Sequence, residues 1–333
     1  MTDIPSGAAG RDVPSPTLPP HVEEIRAWVS NWGRWGDDDQ RGCANLLDEA
    51  AARRGAACVQ TGQRYSLALD LGPGSPQIGQ PAHRTNPELE MLIVNQRDPH
   101  AAGVWASTDD SVRMATCAGT HIDTLAHVSY DGRIWNGFPA TSVSPETGAS
   151  VCGAETLTPV VTRGVVVDVG RLRGVEALDE INPGYAITGD DLDEAFDVAG
   201  LSPEPGDALL VRTGDVRHLH AGRRRRYALG NRYRFPGPSL HSVEWIRRHD
   251  IAGVFTDTYA YEAFPPPSRD WSDTLCVHML HLRDIGLLQG QSWDLEALSI
   301  ACAEAFRWDV LLVAAPEPIV GATSAPVAPV AVL

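Results

Sequence analysis

The sequence contains no Cys-x-x-Cys pair: its six cysteines, Cys43, Cys58, Cys117, Cys152, Cys276 and Cys302, are scattered along the chain. A disulfide framework belongs to short secreted chains with paired spacings, so these thiols read as reduced and mostly buried. No apolar run approaches the roughly 20 residues needed to cross a bilayer. The N-terminus, MTDIPSGAAGRDVPSPTLPPH, lacks a basic start followed by an apolar stretch. No secretory leader is therefore expected, and a cytoplasmic location follows. Positive charge is also scarce, with 27 Lys and Arg against 43 Asp and Glu and a net charge of −16. Such a chain repels phosphate backbones and anionic surfaces, which argues against nucleic acid and membrane partners. The one basic run, Arg223 to Arg226, reads as solvated surface or an oligomer contact.

What is present suits a loop-rich globular enzyme: 43% hydrophobic residues, 31 Gly and 25 Pro in 333 residues. No segment repeats at a fixed period, and no low-complexity linker divides the chain beyond its start. Residues 1–22, rich in Pro, Gly and Ser, are expected to be a mobile tail, and 23–333 a single catalytic domain. Helical spacing begins in VEEIRAWV at Val22, and a short helix is expected over Leu46 to Arg54. A strand follows over Gln63 to Leu71. The segment GPGSPQIGQPAHRTNPELEML then reads as a long irregular excursion. Further on, buried strands at Arg163 to Val169, Ala208 to Arg212, within IAGVFTDTYA and within WDVLLVAAPEP alternate with helices. The first of these helices is GDDLDEAFDVAG, for which Thr188 is a good N-cap. Helical patterns also occur in PGPSLHSVEWIRRHD, over His278 to Gly286 and over Trp293 to Phe306. The alternation predicts an α/β fold.

The chemistry concentrates in CAGTHIDTLAH, Cys117 to His127. His121 and Asp123 are two apart, so an extended backbone puts both side chains on one face. His127 follows Asp123 at the spacing of one helical turn. A strand or loop turning into a helix here would aim an imidazole and a carboxylate at one point, with a second imidazole beside them. The arrangement suits a metal site with a proton carrier, and equally a hydrogen-bonded turn. Trp32, Trp35, Trp105, Trp135 and Phe138 are candidate pocket walls or core residues. Asp257 and Glu262 follow a strand end, where fixing a loop is the expected use.

GTHIDTLAH followed by YDGRIWNGF resembles the signature of the cyclase-family metal-dependent hydrolases, the group that includes bacterial kynurenine formamidase and isatin hydrolase. NWGRWGDDDQRG, RTNP, NPGYAITGDDL, GDALLVRTG, FTDTYAYEAFPP, VHMLHLRDIGLLQGQSWDLEAL and GATSAPVAPVAV continue the resemblance from about residue 30 to the C-terminus. The resemblance implies a mixed sheet around a swivelling β/β/α core, a homo-oligomer (dimer or tetramer), a small-molecule substrate and one divalent metal ion. By that pattern His121 and Asp123 are ligands and His127 is the general acid and base. His278 and Gln291 fall at the places of two further site residues, with His278 rather than His281 facing inward and His281 towards solvent. Cys117 stands where the formamidases have their first histidine, and Leu125 where they have proline. A thiolate at Cys117 would favour zinc over manganese or magnesium; Cys117 could equally be a small buried residue, or a nucleophile paired with His127. The expected activity is hydrolysis of an amide, lactam, lactone or ester. A cyclase or dehydratase of natural-product assembly and a metal-free small-molecule binder are the alternatives.

Overall fold

The computed structural model describes residues 18–80, 83–97, 100, 103–270 and 273–333. Its centre is a nine-stranded mixed sheet in the order Arg64–Ser66, Val330–Val332, Asp309–Ala314, Val160–Asp168, Ala208–Arg212, Gly253–Thr256, Leu288–Gln291, His121–Asp123, Ser324–Pro326. The pairings from Val160–Asp168 through Leu288–Gln291 are parallel, and the outer ones are antiparallel. The parallel strands are Val- and Leu-rich and buried along nearly their whole length, as strands covered on both faces must be.

Alternation along these strands divides the core in two. Val165, Val167, Leu209, Val211 and Val254 point into one apolar cluster. Val166, Ala208, Leu210, Phe255 and Leu288 point into the other. Helix Gly189–Ala199 covers the first face. Its N-terminus is closed by a reciprocal cap: Asp191 N–H donates to Thr188 Oγ1 at 3.3 Å, and Thr188 N–H donates to Asp191 Oδ2 at 2.8 Å. It ends at Gly200, whose φ of +64° is the left-handed conformation that releases the chain. Its buried Leu192, Ala195 and Phe196 pack towards helix Leu240–Arg248, where Trp245 lies 5.5 Å from Phe196 between ring centroids.

Several sequence expectations change. The expected tail over 1–22 is cut short: helix Pro20–Val29 carries the fully buried Val22, and Leu18 packs on the core, while residues 1–17 lie outside the described residues. The strand over Gln63 to Leu71 shrinks to Arg64–Ser66, and the helix over Leu46 to Arg54 shifts to Glu49–Ala57. The excursion after residue 71 ends in a two-stranded antiparallel hairpin, Glu88–Gln96 with Ser107–Arg113, that stands apart from the main sheet; residues 81–82 of the excursion lie outside the described residues. Residues Cys276–His278 run into a wider π-type turn over Met279–Ile285. Among the described residues, no helix is long and apolar enough to cross a membrane.

Candidate active site

Strand His121–Asp123 is held on both edges, by Gln289–Gln291 on one side and Ser324–Pro326 on the other. Thr120 just before it donates from Oγ1 to the Ser292 carbonyl at 2.6 Å and accepts from Leu69 N–H at 2.9 Å. Thr124 just after it donates from both its N–H and its hydroxyl to the Thr323 carbonyl, each at 3.1 Å. His127 N–H then closes a turn onto the Thr124 carbonyl. His121, Asp123 and His127 consequently arrive together at a cavity of about 320 Å³.

His121, Asp123 and His278 each have one committed end and one open end. His121 Nδ1 lies 2.8 Å from the Gly119 carbonyl, which can only accept, so Nδ1 carries the proton and Nε2 presents a lone pair. Asp123 Oδ2 accepts from Gln291 Nε2 at 2.7 Å and from Gln289 Nε2 at 3.4 Å. Asp123 Oδ1 is fully buried and has no hydrogen-bond partner among the described residues. It faces His121 Nε2 at 3.6 Å and His127 Nδ1 at 3.8 Å. His278 hydrogen-bonds through Nδ1 to Glu262 Oε1, which leaves its Nε2 open.

The electrostatics follow from this packing. Burial lowers the pKa of His121 and keeps its ring neutral. Burial pushes the Asp123 carboxyl up, yet His127, His121, His278 and Arg84 together outweigh it and hold the pKa below the usual value. For His278, burial favours the neutral ring, but the Glu262 carboxylate prevails and the pKa rises.

His121, Asp123, His127, His278 and Gln291 all line the same cavity. Cys117 does not. It is buried outside the lining, and burial pushes its thiol pKa up. The expected walls Trp32, Trp35, Trp135 and Phe138 are also elsewhere, in a separate cluster with Leu125, Ile134 and Leu282. Two of their indole N–H groups are committed to backbone carbonyls, Trp32 to Arg283 at 2.6 Å and Trp135 to Asp39 at 2.9 Å, so they fasten the N-terminal loop to the body. Trp105 is exposed and does not line the cavity. The walls are instead Val128, Ala228, Leu229, Phe235, Tyr259 and Leu275, with Arg84 as the nearby cation. Arg84 lies in the RTNP string that carried the resemblance; Val128 directly follows His127, Ala228 and Leu229 end helix Arg224–Leu229, and Phe235, Tyr259 and Leu275 come from distant segments without a periodic signal. His281, expected to face solvent, is fully buried and bonds to Tyr261 Oη at 2.8 Å. Asp257 holds a loop as expected, accepting from Thr213 N–H and Oγ1 and from Gly214 N–H.

A family model described as a putative cyclase matches residues 65–263. The crystal structure of a novel cyclase superposes with a TM-score of 0.82 at 32% identity, covering 92% of this chain and 100% of its own. The chain belongs to the cyclase family. Its fold also matches isatin hydrolase A from Labrenzia aggregata, bound to benzyl benzoate, with a TM-score of 0.59 at 18% identity over 86% of this chain and 98% of that one. Isatin hydrolase A from Ralstonia solanacearum gives 0.56 at 19% identity over 81% and 91%. No functionally curated protein matches this cyclase-family sequence.

The family resemblance implies a metal ion, and the donors can be tested against one. Two ligands about 2.1 Å from a tetrahedral ion sit roughly 3.4 Å apart. The 3.6 Å between His121 Nε2 and Asp123 Oδ1 is close to that spacing and too long for a good hydrogen bond. Among the described residues, no three His, Cys, Asp or Glu side chains converge as a ready metal site. The fit therefore rests on an imidazole–carboxylate pair, with the Gln291 side chain beside it as a neutral third donor.

Proposed function

We propose that this chain is a metal-dependent hydrolase that opens an amide, lactam, lactone or ester of a compact cyclic or aromatic molecule. The observation that carries the reading is the buried Oδ1 of Asp123, unpartnered among the described residues and facing two imidazoles at a cavity wall. A buried carboxylate oxygen without a donor is costly, and such costs are retained where a ligand supplies the missing partner. His121 Nε2 and Asp123 Oδ1 would hold one divalent ion, which when bound supplies Lewis acidity and a water of lowered pKa. With Cys117 outside the cavity the donors are nitrogen and oxygen only, a set that suits Mn²⁺ as well as Zn²⁺.

The residues of the chain divide the remaining work. His127 is partly solvent-accessible and, among the described residues, its ring has no hydrogen-bond partner, so it is free to take a proton from water and return it to the leaving nitrogen or oxygen. Glu262 fixes the tautomer of His278 so that Nε2 faces the substrate. Arg84 gives a partner for a carbonyl or carboxylate of the substrate. Phe235, Leu229, Val128 and Leu275 form an apolar wall of a size that admits one or two rings.

The test is turnover of aryl formamides, small lactams and lactones by purified protein, with elemental analysis of the same sample. Hydrolysis that stops on chelation and returns with one ion per chain is expected, and His127→Ala should cost about 100-fold or more in kcat. A metal-loaded protein that cleaves none of these but closes or dehydrates a polyketide-like chain would move the assignment to the cyclase reading. A metal-free protein that binds such compounds without converting them would make it a binder.

A further inference from the structure

A second cavity, of about 590 Å³, lies between helix Pro20–Val29, helix Leu240–Arg248 and the segment that carries Ser268 and Asp273. It shares no described lining residue with the candidate active site. Its volume falls in the range of small-molecule sites, and so does its make-up: Ile25, Trp28 and Leu240 give apolar walls, with a few polar groups between them. Trp28 is 49% exposed, and Arg248, which approaches its ring at 5.9 Å, does not line the cavity.

The ionisable groups of the lining, histidines aside, are all acidic. Glu24 and Glu244 are exposed, one on each helix, whereas Asp273 is only 2% exposed. Asp273 Oδ2 accepts from His21 Nε2 at 3.0 Å and from Ser268 Oγ. Its Oδ1 is buried and has no hydrogen-bond partner among the described residues. A buried carboxylate oxygen left without a donor is costly, and here it belongs to a side chain that lines an open volume. The chain supplies no counter-charge: no arginine stands among the described lining residues, and the sequence contains no lysine. A bare metal ion is a poor complement, because among the described residues no three His, Cys, Asp or Glu side chains converge as a metal site. Nor does an ion make use of an indole and two aliphatic walls. The missing positive charge therefore has to arrive on an apolar body.

We infer that this cavity binds an organic cation, an ammonium or amidinium head carried on an aromatic or aliphatic body. The half-exposed His21 side chain turns aside and the head takes its place on the Asp273 carboxylate, a charge-assisted hydrogen bond. Glu24 and Glu244 add attraction from the two helices, and the body lies against Trp28. Asp273 stands two residues before Leu275, which lines the candidate active site, so one segment of chain walls both cavities.

Calorimetric titration of the full chain with phenethylamine tests this, with 2-phenylethanol as its uncharged counterpart. The amine should saturate at one per chain, and the alcohol should bind at least about 10-fold more weakly. Asp273→Asn should weaken the amine at least about 10-fold, and Trp28→Ala about 3-fold. Glu24→Gln and Glu244→Gln, made together, should weaken it about 3-fold, an effect that fades at high salt. This pair alters only exposed side chains, so it decides the matter even where Asp273→Asn does not fold. Asp123→Asn, in the other cavity, should leave the titration unchanged. Absence of saturable binding, equal affinity for amine and alcohol, indifference to the acidic variants, or loss of binding in Asp123→Asn would each overturn the inference. No turnover is measured, so the outcome is separate from that of the hydrolase assignment.

Discussion

Replacing Glu262 offers the sharpest test of how the site is supported. The carboxylate is buried and takes three donors: Val277 N–H at 3.2 Å, His278 N–H at 3.1 Å, and the His278 Nδ1–H. The two backbone groups open the Cys276–His278 turn, where a helix has no internal partners for its N–H groups, so Glu262 caps this turn from a distant loop. Hydrogen bonds to a charged group contribute about 1.5–3 kcal/mol each and neutral ones about 0.5–1.5 kcal/mol, so Glu262→Gln should cost roughly 1–3 kcal/mol in total. Glu262→Ala leaves three buried donors without an acceptor, each costing about 1–3 kcal/mol, and with water entering from the cavity a loss of roughly 3–5 kcal/mol is expected. Urea unfolding of the three proteins measures both values. Turnover should fall about 10- to 100-fold in the Gln variant, as for other residues that orient a site imidazole. A Gln variant within about 0.5 kcal/mol of the parent, below the ordinary contribution of even one such bond, would refute the three-donor account.

Three further outcomes follow from the same coordinates. Cys117→Ser should leave the metal content of purified protein unchanged by elemental analysis, because the thiol does not line the cavity. Gly42→Ala should destabilise by about 3 kcal/mol or more in urea unfolding, since φ there is +54° and a Cβ would sit 2.2 Å from the Gly286 carbonyl oxygen. Burial raises the Asp257 carboxyl from its usual 3.8 to about 7, so between those pH values the folded chain keeps a proton that the unfolded chain releases. Its contribution is greatest below pH 4 and is lost as pH rises to about 7. At 1.36 kcal/mol per pH unit, the parent should lose up to about 4 kcal/mol relative to Asp257→Asn across that window. A flat difference in a urea–pH series would contradict it.

The parts of the fold legible in the sequence are those where one physical demand dominates. Ala208–Arg212 is buried on both faces and reads as a β-branched and aliphatic run, and Gly189–Ala199 announces itself through Thr188 and Gly200. The hairpin was illegible because neither of its faces meets the core, so no period of two separates inside from outside. His281 misled for the opposite reason: its segment is enclosed on every side, so helical spacing offers no solvent face. In the site, His121, Asp123 and His127 are close in sequence and could be read together. Arg84 comes from one loop and Tyr259 and Glu262 from another, and only topology brings them near. The tryptophans were misplaced because a ring between glycines packs as readily on a core as on a ligand.

The position of His121–Asp123 between two late strands has a consequence for biosynthesis. Its neighbours, Gln289–Gln291 and Ser324–Pro326, are made long after it, Gln291 lying 168 residues beyond Asp123. Until both emerge from the ribosome, the motif has no edge to pair with and Asp123 has no glutamine to bind. The nascent chain therefore carries the motif without its sheet partners until these later strands have been made.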